Sequence, residues 1–123
     1  MIVGFGIDVV AIARLERAIA SRHAERFLAR CFTERERAFC DAVKDRASRY
    51  AARFAAKEAA SKALGAPEGI AFLDVEVVRA QGAPGLVFAG AAARAAQELA
   101  VGRSHLTLTH DGGVAVAAVI LEA

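Results

Sequence analysis

Alanine carries much of the apolar content of this chain, and that limits what it can fold into. Hydrophobic residues make up 56% of the 123 positions, yet aromatics make up only 7%. Small side chains bury little area each. A chain of this length forms one ordinary domain, residues 1–123, with a small core. A subunit interface would add to the buried apolar area, so the composition points toward an oligomer.

Other classes are excluded early. Charged residues are 24% of the chain, which does not fit a disordered tail. No apolar run reaches the roughly 18–20 residues that span a bilayer, so no membrane role is expected. The N-terminus, Met1-Ile2-Val3-Gly4-Phe5-Gly6-Ile7-Asp8, lacks a basic region and is interrupted by an acid, unlike a secretory signal. Cys31 and Cys40 stand nine apart with no histidine nearby to suggest a zinc knuckle. Two reduced thiols in a cytoplasmic protein fit best.

The order of elements follows from periodicity. Ile2 to Asp8 reads as a strand and Ala11 to Ala20 as a helix with Ile12, Leu15 and Ile19 on one face. Thr33-x-x-Glu36 is a capping box that opens a short helix through Phe39. Asp45 to Leu64 is the longest helix, closed by Gly65. Phe72 to Val78 alternates like a strand, Gln81 to Gly85 reads as a turn, and Leu86 to Phe88 pairs back. A helix over Ala91 to Ala100 follows. Two last strands, His105 to Thr109 and Val114 to Leu121, flank a turn at His110-Asp111-Gly112-Gly113. Strand, helices, hairpin, helix, hairpin is an α+β order with a mostly antiparallel sheet.

The segment richest in chemistry is Arg53-Phe54-Ala55-Ala56-Lys57-Glu58-Ala59-Ala60-Ser61-Lys62. On a helix, Arg53 and Lys57, and likewise Glu58 and Lys62, are i,i+4 pairs. A surface ion-pair ladder is one reading, worth only tenths of a kcal/mol. Asp8 supports another. A carboxylate ending an apolar strand is costly unless it is solvated, paired or bound to a cation. One acid on a strand end and one on a helix are a common way to hold Mg²⁺, which keeps waters and takes phosphate oxygens as its other ligands. This set suggests metal-assisted chemistry on a phosphate, and a Mg²⁺-dependent phosphohydrolase acting on a nucleotide would use the same residues. Net charge is only +2, and there is one Tyr and no Trp to stack bases, so no nucleic-acid partner is expected.

Taken together, these stretches resemble the holo-acyl-carrier-protein synthases, the small 4′-phosphopantetheinyl transferases. The resemblance covers essentially the whole chain. It rests on Gly4-Phe5-Gly6-Ile7-Asp8 with Arg14 after it, Phe32-Thr33-x-x-Glu36, and Arg53-Phe54-Ala55-Ala56-Lys57-Glu58-Ala59-x-x-Lys62-Ala63-Leu64-Gly65. Gly82-x-Pro84 and His105-x-Thr107-x-Thr109-His110-Asp111 add to it. Ala83 stands where the family often has a basic residue, and Thr107 and Thr109 where serine is common.

The resemblance implies transfer of the 4′-phosphopantetheine arm of coenzyme A to a serine of apo acyl carrier protein, in support of fatty acid biosynthesis. It implies a homotrimer with sites at subunit interfaces. Asp8 and Glu58 match the Mg²⁺ ligands, with Mn²⁺ as a substitute. Arg53, Lys57, Lys62, Gly65, Pro84 and His105 fall in segments that border coenzyme A. Arg14 and Arg17 match the surface that docks the acidic carrier protein, although a solvated helix face explains them too. For the serine proton, Glu58 is the first candidate acceptor, and His110 and Asp111, read as exposed by the hairpin turn, are the second.

Overall fold

A computed structural model describes the backbone of residues 1–123 and every side chain but that of Ala80. Strand β1 (Ile2–Ala11) leads into four helices, α1 (Ile12–Ala20), α2 (Ala24–Cys31), α3 (Glu34–Asp41) and α4 (Arg46–Ala63). A hairpin follows, β2 (Val75–Ala80) and β3 (Ala83–Phe88), then helix α5 (Gly90–Glu98) and a second hairpin, β4 (Arg103–Asp111) and β5 (Val114–Glu122). The strands form a three-stranded sheet in the order β1-β5-β4 and a separate β2-β3 pair, all antiparallel. The α+β order anticipated from periodicity is the one observed.

Helix α4 lies against the three-stranded sheet, and its alanines make the contact close. Ala51, Ala55, Ala56, Ala59 and Ala60 are fully buried. On β1 the facing positions are Gly4 and Gly6. A Cβ on Gly6 would stand 1.8 Å from the Ala59 carbonyl oxygen, and one on Gly4 would stand 2.1 Å from that of Ala63. Only glycine permits this approach. Strand alternation then puts Asp8 and Val10 on the same face as Gly4 and Gly6, level with Ala117 and Ala115 of β5.

The opposite face of the sheet is apolar and uncovered. Phe5, Ile7 and Val9 are 61%, 55% and 61% exposed. They pair with Ile120, Ala118 and Val116, which lie beside His105, Thr107 and Thr109 of β4.

Four local expectations are corrected. Helix α2 was not anticipated, because His23 before it supplies no side-chain cap, and Phe27, Leu28 and Cys31 are its only apolar side chains larger than alanine. Phe72–Asp74 is a 3₁₀ turn rather than strand, since the Asp74 carboxylate accepts from the Ala71 amide at 3.0 Å and curls the chain. Pro84 sits within β3, opposite Arg79, and not in a turn; a two-stranded ribbon has two edges, where a missing N–H is tolerated. His110 and Asp111 belong to β4. The turn is Gly112-Gly113 alone, at φ 58° and 84°, the doubly positive pattern that a two-residue hairpin loop favours.

Candidate functional site

Asp8 projects toward α4, where Lys62 meets it. The Lys62 Nζ donates to Asp8 Oδ1 at 3.1 Å and to the Ile7 carbonyl at 3.0 Å. Glu58 lies one turn earlier on the same helical face and is half-buried. It lines a cleft of about 70 Å³ with Ser61, Ile70, Ala71, Phe72, Val75 and the stem of Lys57. Asp8 is thus bonded to Lys62 in the C-terminal half of α4, and Glu58 stands one turn before that lysine, at the cleft. Gly65, with φ 88°, ends that helix.

Lys57 is placed differently from the sequence expectation. It is 2% exposed, and its ammonium is spent on protein acceptors: Glu36 Oε1 at 2.9 Å, the Phe72 carbonyl at 3.0 Å and the Val75 carbonyl at 2.5 Å. All three protons are committed, so none is left for a phosphate. Burial pulls the Lys57 pKa down, and the Glu36 carboxylate works against that.

Arg53 is also buried. Its guanidinium lies 4.1 Å over the Phe39 ring, and its Nε and Nη2 have no hydrogen-bond partner. Desolvation lowers its pKa. Two adjoining cavities, of about 220 and 240 Å³, share Phe39, Arg53 and Arg79. Arg35 borders the first, and Arg49, Ser48 and His110 border the second. Arg49 and Arg79 also approach Phe39, at 4.1 and 5.6 Å. This cation-rich hollow was only partly legible in the sequence, because Arg79 and Phe39 come from distant segments and neither stands in a motif.

The remaining residues divide by face. His105 and Asp111 alternate onto the uncovered face of the sheet, away from Asp8. His105 Nε2 contacts Glu122 Oε1 at 2.5 Å. Within one chain His105 therefore does not join the Asp8–Glu58 group. Arg14 and Arg17 are exposed on α1. The Arg14 guanidinium sits 4.9 Å over the Phe54 ring, which stacks on Phe72 at 5.1 Å, so α1 approaches the wall of the Glu58 cleft.

A family model for the 4′-phosphopantetheinyl transferase superfamily matches residues 4–119. The chain belongs to that superfamily. Its relatives agree. A holo-[acyl-carrier-protein] synthase of Anaeromyxobacter dehalogenans is 66% identical over 124 residues, covering 99% of this chain and 97% of the relative. One from Myxococcus xanthus is 48% identical over 97% of this chain and 94% of its own length. Among solved structures, the Helicobacter pylori holo-[acyl-carrier-protein] synthase in complex with coenzyme A superposes on this transferase with a TM-score of 0.82. It is 30% identical, covering 96% of this chain and 99% of that one. The Neisseria meningitidis enzyme reaches a TM-score of 0.86 at 27% identity, with both chains covered in full.

Proposed function

We propose that this transferase is a holo-acyl-carrier-protein synthase: it moves 4′-phosphopantetheine from coenzyme A to a serine of apo acyl carrier protein and releases adenosine 3′,5′-bisphosphate. The observation that carries the reading is the match over nearly the whole chain to relatives of that name, supported by Asp8 bonded to Lys62 and by Glu58 lining a cleft one helical turn before that lysine. The proposal extends to a cytoplasmic homotrimer of single-domain subunits acting in fatty acid biosynthesis.

The donor set suits Mg²⁺. Asp8 and Glu58 are two carboxylates on elements that pack together, and two carboxylates are what Mg²⁺ accepts when substrate phosphates and water supply its remaining ligands. Asp8 and Glu58 would hold it. When bound, the ion supplies charge neutralisation across the diphosphate and orients it for in-line displacement.

The chain's own residues do the rest. Lys62 is 54% exposed at its side chain and bound to a partly exposed partner, so its ammonium is free to turn to the departing bisphosphate. Arg53, Arg49, Arg79 and His110 line a hollow with several cations and an aromatic floor, suited to a phosphate of coenzyme A. Glu58 is the first candidate to accept the serine proton.

The uncovered sheet face supports assembly. An apolar surface carrying Phe5, Ile7 and Val9 is costly to leave in water, and a second copy seated there would bring its own His105 and Asp111 toward the neighbour. Arg14 and Arg17 give α1 a positive face for an acidic carrier protein.

The test is a mass spectrum of apo carrier protein after incubation with the enzyme, coenzyme A and Mg²⁺. A carrier protein heavier by the phosphopantetheine arm is expected. Cleaved coenzyme A with unmodified carrier protein would indicate a phosphohydrolase instead.

A further inference from the structure

The Glu58 cleft has one wall on α4 and one on the stretch Ile70 to Val75, a loop and 3₁₀ turn that lead into β2. Irregular chain holds its place only if its backbone polar groups are tied down. Within this segment Asp74 accepts from Ala71 and Ala71 accepts from Asp74, and the Asp74 carbonyl accepts from the Ala89 amide at 2.8 Å, but none of these bonds reaches α4. Among the described residues, the hydrogen bonds that tie the segment to α4 come from one side chain. Lys57 donates to the Phe72 and Val75 carbonyls, which flank the turn.

Its third proton goes to Glu36, and Glu36 is held in turn. Oε1 also accepts from the Thr33 amide at 2.8 Å, and Oε2 accepts from the Val77 amide at 2.9 Å. The carboxylate that completes the α3 capping box therefore also grips the start of β2. Glu36 and Lys57 are 1% and 2% exposed. A buried pair with every proton and most lone pairs engaged holds a single geometry, because any displacement leaves a charge unpaired in a dry site.

We infer that Lys57 is a positioning residue, fixing the Ile70–Val75 wall against Glu58 and Ser61 through the Phe72 and Val75 carbonyls so that the cleft takes the coenzyme A substrate. This rests on the proposed transferase reading. Glu36 holds the charge, and the two carbonyl bonds hold the wall.

Two variants test this. Lys57→Arg keeps the ion pair, but a planar guanidinium does not reproduce three converging ammonium donors. The uncharged pair Glu36→Gln with Lys57→Met removes the carbonyl bonds without stranding a charge. Coenzyme A affinity is measured by calorimetry on the folded proteins, and KM is measured separately for coenzyme A and for carrier protein. For both variants we expect coenzyme A binding and its KM to worsen about tenfold, one decade being about 1.4 kcal/mol, with carrier-protein KM within twofold. Parental coenzyme A binding in either folded variant overturns the inference, as does an equal rise in both KM values. Failure of the transferase reading shows separately, as a parent enzyme that leaves carrier protein unmodified.

Discussion

Lys57 and Lys62 stand on the same helix, and each donates to one carboxylate and to backbone carbonyl oxygen. Lys57 meets Glu36, Phe72 and Val75; Lys62 meets Asp8 and Ile7. The side chains of the first ion pair are 1% and 0% exposed, and those of the second 54% and 17%. Solvent makes the difference. In water an ion pair is worth about 1 kcal/mol or less, and its partners separate readily. In a dry interior either charge alone is very costly. The first lysine is committed to the fold, and the second is available to a ligand. Identical chemistry on one helix thus serves architecture at one position and leaves an exposed ammonium at another.

The contrast is broken most directly by removing each ammonium in turn. Lys57→Met strands Glu36 in the core and should cost about 3–5 kcal/mol, read by urea denaturation. Lys62→Met should cost less than about 1 kcal/mol while still depressing turnover. Equal losses of stability would erase the distinction.

Next in size, Asp8→Ala and Glu58→Ala should leave the urea midpoint nearly unchanged. Each should lower kcat at least about 100-fold, equivalent to about 2.7 kcal/mol of lost transition-state stabilisation. Steady-state rates at saturating Mg²⁺ decide this. A near-parental rate in either variant would place the reactive cluster elsewhere.

The smallest effect is expected at the rim. Arg14→Glu should raise carrier-protein KM severalfold and leave coenzyme A KM within twofold, since a rim charge acts chiefly on encounter. The Arg14 contact with Phe54 sharpens this test, because a parallel rise in coenzyme A KM would show that α1 also supports the cleft wall.

Local chemistry announced several elements. Thr33 and Glu36 form the capping box that their spacing foretold, with both halves present. Asp45 caps α4 by accepting from the Ser48 amide. Other elements were hidden where local signals were weak or misleading. Helix α2 has no capping side chain, and the alternation at Phe72–Asp74 was overridden by a carboxylate bonding back three residues.

The sequence by itself determined the α+β order apart from α2 and the 3₁₀ turn, the superfamily, and the set of acids and cations available for chemistry, because spacing, capping and motif are local properties. Tertiary structure decided which of those groups meet water. Lys57 and Glu58 are adjacent in the chain, yet the turn of the helix sends one ammonium into the α3–β2 interior and leaves the neighbouring carboxylate at a cleft. Gly4 and Gly6 bring β1 hard against the α4 alanines, and that approach sets Asp8 beside Lys62. Burial and convergence depend on elements far apart in the chain, so no reading of local pattern assigns them.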